Sequence, residues 1–249
     1  KQMSRFYGQF IKPELVSDNA VREVYQNLNT LRASMCYSAL LAGSAVLNNE
    51  ALRDFARLCE VLTFRYSTIC SKDSKELEKV YHQAAKVLAS QGAAGLVEAS
   101  KILEAASPSS AEFVLAFRNQ SMGRHYIVNY IFRGIENHLS PEEKTLQNTL
   151  GVHIEHIMPQ TLSPAWRDTL GEDADQHALY INRWGNLTLL GGKLNIGASN
   201  MPFASKIKIY QQSKIALAHE LATEECWGLE QIDERQQRLA GIAEGIWRI

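Results

Sequence analysis

Val152-His153-Ile154-Glu155-His156-Ile157-Met158-Pro159-Gln160, joined by an insertion to Gly185-Asn186-Leu187-Thr188-Leu189-Leu190-Gly191-Gly192-Lys193-Leu194-Asn195, decides the fold of this 249-residue chain. From Val152 to Ile157 apolar and polar residues alternate, the period of a strand, with Ile154 and His156 on one side and His153 and Glu155 on the other. Pro159 ends that strand. Leu187 to Leu190 reads as a second short strand, stopped by Gly191-Gly192 and followed by a helical pattern. The order is strand, insertion, strand, helix.

These residue types suit metal-assisted hydrolysis of a phosphodiester. Such a reaction needs a base for water and a cation to polarise the phosphoryl oxygen. His156 is the candidate base, because imidazole titrates near neutrality. Glu155, the only acid between Glu143 and Asp168, offers a hard oxygen to Mg²⁺ or Mn²⁺. Asn195 would add a neutral carbonyl ligand, and Asn186 would tie the loop down and aim the imidazole. His153 shares a face with Glu155 and is a candidate contact to metal or phosphate. Asn200 is the rival of Asn195 for the ion, its other role being to cap a helix.

Glu155-His156-Ile157-x-Pro159-Gln160 with Asn186 and Asn195 resembles the HNH (His-Me finger) endonuclease motif, with Glu155 where many members carry Asp or His. The longer series is Arg183-Trp184-Gly185-Asn186-Leu187-Thr188-Leu189-Leu190, Lys193-Leu194-Asn195, Ser199-Asn200-x-Pro202-Phe203, Lys206 and Tyr210-x-x-Ser213. It is similar to the C-terminal HNH domain of GmrSD-type and SspE-type bacterial restriction proteins. The resemblance implies a DNA endonuclease that uses Mg²⁺ or Mn²⁺ and acts on double-stranded phage DNA bearing modified bases or phosphorothioate linkages; a single such site cuts one strand at a time, so a nick is the expected elementary product. In that family an N-terminal domain binds nucleotide and senses the modification. This chain shows no glycine-rich phosphate loop and no starting Met, so it is expected to be the C-terminal part of a longer protein.

Composition is compatible with that reading. With 45% apolar and 21% charged residues the chain can bury a sizeable core in one or two domains. It has no run of the roughly 18 apolar residues that a membrane span needs and no signal segment, so a bacterial cytoplasmic location and no membrane partner are expected. Cys36, Cys59, Cys70 and Cys226 have no Cys-x-x-Cys spacing and read as buried free thiols within helices. The net charge of −1 argues against holding DNA by bulk electrostatics. From Gln176 to Lys214, however, the chain has no acid, while Arg183, Lys193, Lys206, Lys208 and Lys214 are basic. Lys193, Lys206 and Arg183 are the candidate phosphate contacts.

The fold class expected is mainly α: a helical bundle over 1–145, then a ββα-metal (HNH) domain over 146–249 with a helical insertion and a C-terminal helix. The spacing of Val21, Val24, Tyr25, Leu28, Leu31 and Met35, extended by Leu40 and Leu41, predicts a helix after the Ser17-Asp18 cap. Further helices follow from near Asn49 to Ser71, from Asp73 or Ser74 to Gly92, around Leu96 to Leu103, around Phe113 to Phe117 and from Tyr126 to Ile135. Met122-Gly123 reads as a break, and Ser140-Pro141-Glu142-Glu143 as the helix start that marks the domain boundary. Trp166, Leu170, Leu179, Tyr180, Ile181 and Trp184 would pack the insertion over the hairpin. Arg65 within its helix reads as structural before it reads as a DNA contact, and His82, His125, His138 and His177 as packing or surface residues. The tail from Trp227 to Trp247 would close the core. Two other readings remain: a nucleic-acid-binding or scaffold module with a decayed site, and a structural zinc site on His153 and His156, disfavoured by the lack of spaced cysteines.

Overall fold

The computed structural model describes residues 2–121, 123–140 and 151–249. Met122 of the expected break, residues 141–143 of the expected helix start and the boundary near 145 lie outside the described residues. The chain divides into two compact units, one running to Ala116 and taking in Trp247–Ile249, the other Phe117–Ile246.

The first unit is helical: α1 (Gln2–Ile11), α2 (Asn19–Thr30), α3 (Tyr37–Val46), α4 (Asn49–Thr63), α5 (Ser74–Gln91), α6 (Leu96–Ala105) and α7 (Ser110–Arg118), the last carrying the division between units. Side-chain caps set several starts. Asp18 accepts from the Ala20 and Val21 amides, Asn48 from Ala51 and Asp73 from Lys75. The single helix expected from Val21 to Leu41 is instead α2 and α3. Arg32 takes a positive φ of 55° and the Ala33 amide turns back to the Leu28 carbonyl, ending α2 as a left-handed C-terminal turn does. A π-helical stretch, Phe64–Ile69, continues α4 and is closed by Ser71 at φ 52°, while Gly92 at φ 64° ends α5. Arg65 is buried, donating to the carbonyls of Trp247 and Pro108, with its guanidinium 4.4 Å from the centroid of the Phe113 ring. Cys36 and Cys59 are buried free thiols as expected; Cys226 is exposed and lies outside any helix, because the segment before α14 is irregular.

In the second unit α8 (His125–Leu139) precedes β1 (Val152–His156). The insertion forms α9 (Pro164–Leu170), a 3-10 stretch and α10 (His177–Tyr180), then β2 (Leu187–Gly191) pairs antiparallel to β1. In the register Val152 faces Gly191, Glu155 faces Thr188 and His156 faces Leu187. There follow α11 (Gly192–Ala198), α12 (Phe203–Tyr210), α13 (Ala216–His219) and α14 (Leu229–Ile246). Leu179, expected to pack inward, is 73% exposed, because α10 is a single turn that leaves it outside. The 3-10 turn Trp184–Asn186 sits directly on α14. A methyl group at Gly185 would come within 2.0 Å of the Ile232 carbonyl oxygen. Gly185→Ala is therefore expected to cost about 3 kcal/mol, the upper end of overpacking, read as a lower urea midpoint with unchanged slope.

The candidate active site

Four elements build the site: the end of β1, the turn before β2, and α11 and α12 after it. Strand alternation sends Glu155 and His156 to opposite faces of the hairpin. On one face Glu155 is 6% exposed, and its Oε1 accepts from Lys206 Nζ at 2.6 Å and from Tyr210 Oη at 3.4 Å, both on α12. Lys206 Nζ also donates to the His156 carbonyl at 2.8 Å. Burial pushes the Glu155 carboxyl above its ordinary range and Lys206 pulls it back; burial also holds the Lys206 ammonium below its ordinary value. The pair is an internal ion pair. Lys206, expected to reach a phosphate, is instead fully buried.

On the other face His156 is half-buried, with Nε2 at 3.2 Å from Asn182 Oδ1. Burial is the main cause that lowers its pKa, with smaller contributions from the charges of Lys206, His125 and His177, against the raising effect of the Asn182 bond. His177 spends Nε2 on the Pro159 carbonyl at 2.9 Å.

Asn186 is buried and makes no hydrogen bond to the imidazole. Its Oδ1 accepts from the Met158 amide (2.7 Å) and Trp227 Nε1 (3.1 Å), and its Nδ2 donates to the carbonyls of Met158 (2.9 Å) and Ile181 (3.0 Å). It ties the exit of β1 to the entry of β2. Asn186→Ala would leave these buried groups unpaired and is expected to destabilise the protein by about 3 kcal/mol or more, at about 1–3 for each group, measured by chemical denaturation.

Asn195 stands on α11, and its Oδ1 is buried with no hydrogen-bond partner among the described residues. Asn200 lies exposed beyond the end of α11, and α12 starts after Pro202 with no side-chain cap, so Asn200 does not cap it. His153 is exposed, and a methyl group at Gly192 would come within 3.2 Å of its Nε2. Lys193 is exposed. Arg183 is committed within the fold: it pairs with Asp233 at 2.7 Å, donates to the Arg118 carbonyl and lies over the Tyr180 ring.

Three residues outside the sequence reading hold this framework. Arg235 of α14, buried, donates to the carbonyls of Gly185 (2.9 Å), Leu187 (2.6 Å) and Leu217 (3.3 Å) and pairs with Glu220. Gln236 accepts from the Gly185 amide and donates to the carbonyls of Phe117 and Gln120. Glu136 of α8 accepts the amides of Ala216 and Leu217. No local signal marks Arg235 and Gln236, since Asp233-Glu234-Arg235-Gln236-Gln237-Arg238 has the composition of a solvated helix face.

The hydrogen-bonded hairpin is followed directly by α11, and the His156 imidazole stands at the end of its first strand. The chain belongs to the family of GmrSD restriction endonuclease C-terminal domains, whose model matches residues 108–242. A comparison with curated proteins gave no match. Membership implies a restriction-endonuclease type of function with DNA as substrate, and nuclease chemistry suggests a divalent ion. The residues fit such an ion in one respect, the unpartnered Asn195 Oδ1, a hard neutral oxygen. Among the described residues no group of three or more His, Cys, Asp or Glu side chains is arranged to hold a metal. An ion here would draw on few protein ligands, as Mg²⁺ commonly does. Among the described residues no helix is long and apolar enough to cross a membrane.

Proposed function

We propose that the chain is an HNH-type, metal-dependent DNA endonuclease of a bacterial anti-phage restriction protein, and that its elementary product is a nick. The observation that carries this reading is the half-buried His156 at the end of β1, with one ring nitrogen engaged and a pKa held below the ordinary imidazole value. A neutral imidazole at pH 7 can take a proton from water as the oxygen attacks phosphorus and the bond to the departing sugar oxygen breaks. Asn195, through its unpartnered Oδ1, would offer one ligand to Mg²⁺ or Mn²⁺, and Glu155 would join it only by exchanging its ion pair with Lys206 for the ion. When bound, the ion would polarise the phosphoryl oxygen and stabilise the leaving alkoxide. Lys206 lowers the Glu155 pKa against burial, Asn186 fixes the loop, and exposed Lys193 would contact the DNA backbone. One site cuts one strand at a time.

The test is incubation of supercoiled plasmid with the protein and Mg²⁺ or Mn²⁺, beside His156→Ala. Conversion to the open circular form by wild type alone supports hydrolysis. Plasmid left intact by both proteins, with retardation in a gel, would favour the binding-module reading.

A further inference from the structure

The imidazole of His156 is held by a side chain that lies outside both strands and the helix after them. Asn182 Oδ1 is 3.2 Å from His156 Nε2. An amide oxygen only accepts, so the proton in this bond belongs to Nε2, and the neutral ring then carries its lone pair on Nδ1. Asn182 is itself flanked by anchored residues. The preceding Ile181 carbonyl accepts from Asn186 Nδ2 at 3.0 Å. The following Arg183 is bridged to Ser121, paired with Asp233 at 2.7 Å, and joined to the Arg118 carbonyl. Asn186 thus reaches the imidazole only through this turn: it fixes Ile181, and the turn presents Asn182.

We propose that Asn182 is a positioning residue which locks His156 in the Nε2–H tautomer, so that Nδ1 is the atom that accepts the proton from water. This rests on the hydrolytic reading of His156. The amide takes no part in bond making. It sets which ring nitrogen is basic and where that nitrogen points, as the partner of a working histidine does in general.

Two substitutions separate the possibilities. Asn182→Leu keeps the size and removes the acceptor, whereas Asn182→Asp keeps only acceptors. The first readout is the ¹⁵N spectrum of the imidazoles in metal-free protein, with His156 assigned by comparison with His156→Gln. Wild type and Asn182→Asp should show Nε2 protonated and Nδ1 bare, and Asn182→Leu a mixture of tautomers. The second readout is nicking with Mg²⁺: Asn182→Leu should lose roughly ten- to hundredfold in kcat, the usual cost of removing such a partner, with KM unchanged, and Asn182→Asp should retain more of it. Nδ1 protonated in the wild-type spectrum, or Asn182→Leu with wild-type kcat, overturns the proposal. Should the leucine variant not fold, the wild-type and aspartate spectra still decide it. Wild-type protein that leaves plasmid intact removes the hydrolytic reading, and this inference with it; nicking by wild type that Asn182→Leu does not slow removes this inference alone.

Discussion

His156→Ala is expected to slow plasmid nicking by roughly two to four orders of magnitude, the span associated with loss of a general base. The fold should survive, because His156 is half-buried and its side chain makes one hydrogen bond among the described residues, to Asn182, whose loss costs only about 1 kcal/mol. An unchanged circular dichroism melt beside a lost rate is therefore the expected pair of results. The pH dependence follows from the same environment. The working form is the neutral imidazole, and burial, with the neighbouring positive groups, lowers the His156 pKa from 6.5. The neutral form then persists to lower pH than for a free histidine. Nicking should hold as pH falls through 6.5 and fail only below it. Initial rates across a pH series check this, and a His156→Ala protein as fast as wild type would sink the assignment of the base.

The largest effect on stability is expected at Lys206. Its ammonium is fully buried and 2.6 Å from a carboxylate that is itself nearly buried. Lys206→Met leaves that charge uncompensated in the interior, which costs about 3–5 kcal/mol. Burial already raises the Glu155 pKa in the fold, and Lys206 is the largest influence lowering it. Without Lys206 the folded pKa rises further above the unfolded value. Stability is then fullest below the unfolded pKa and is lost as pH rises through the folded one. The deficit of Lys206→Met should accordingly be large near neutrality and shrink in mildly acid buffer, as read by urea denaturation. The double variant Glu155→Gln, Lys206→Met should recover most of the loss. Equal deficits in both buffers and in both variants would show that packing of α12, not unpaired charge, is responsible.

Much of the hairpin was legible because its signals are local. Alternation over Val152–His156, the Pro159 stop and the Gly191-Gly192 break correspond to β1, β2 and α11. The helices with side-chain caps were legible for the same reason, since Asp18, Asn48 and Asp73 act within one turn. The expected single helix across Arg32 failed because apolar spacing carries through a left-handed residue without interruption. Leu179 failed because its burial depended on how long α10 would be.

Lys206 illustrates the same limit at the site. In the sequence it is one of five basic residues in an acid-free window, and a phosphate contact is the natural reading. The structure turns it inward because α12 packs against the hairpin face that carries Glu155.

Local patterning fixes the order of strand, insertion, strand and helix and marks the candidates for the chemistry, because periodicity, caps and turn residues act over a few positions. Which of those residues meet is settled by the packing of elements far apart in the chain. Glu155 with Lys206, His156 with Asn182, and Arg235 and Gln236 with the turn before β2 are pairings across long loops. Each is fixed by the need to satisfy a buried polar group once the helices have closed over the hairpin.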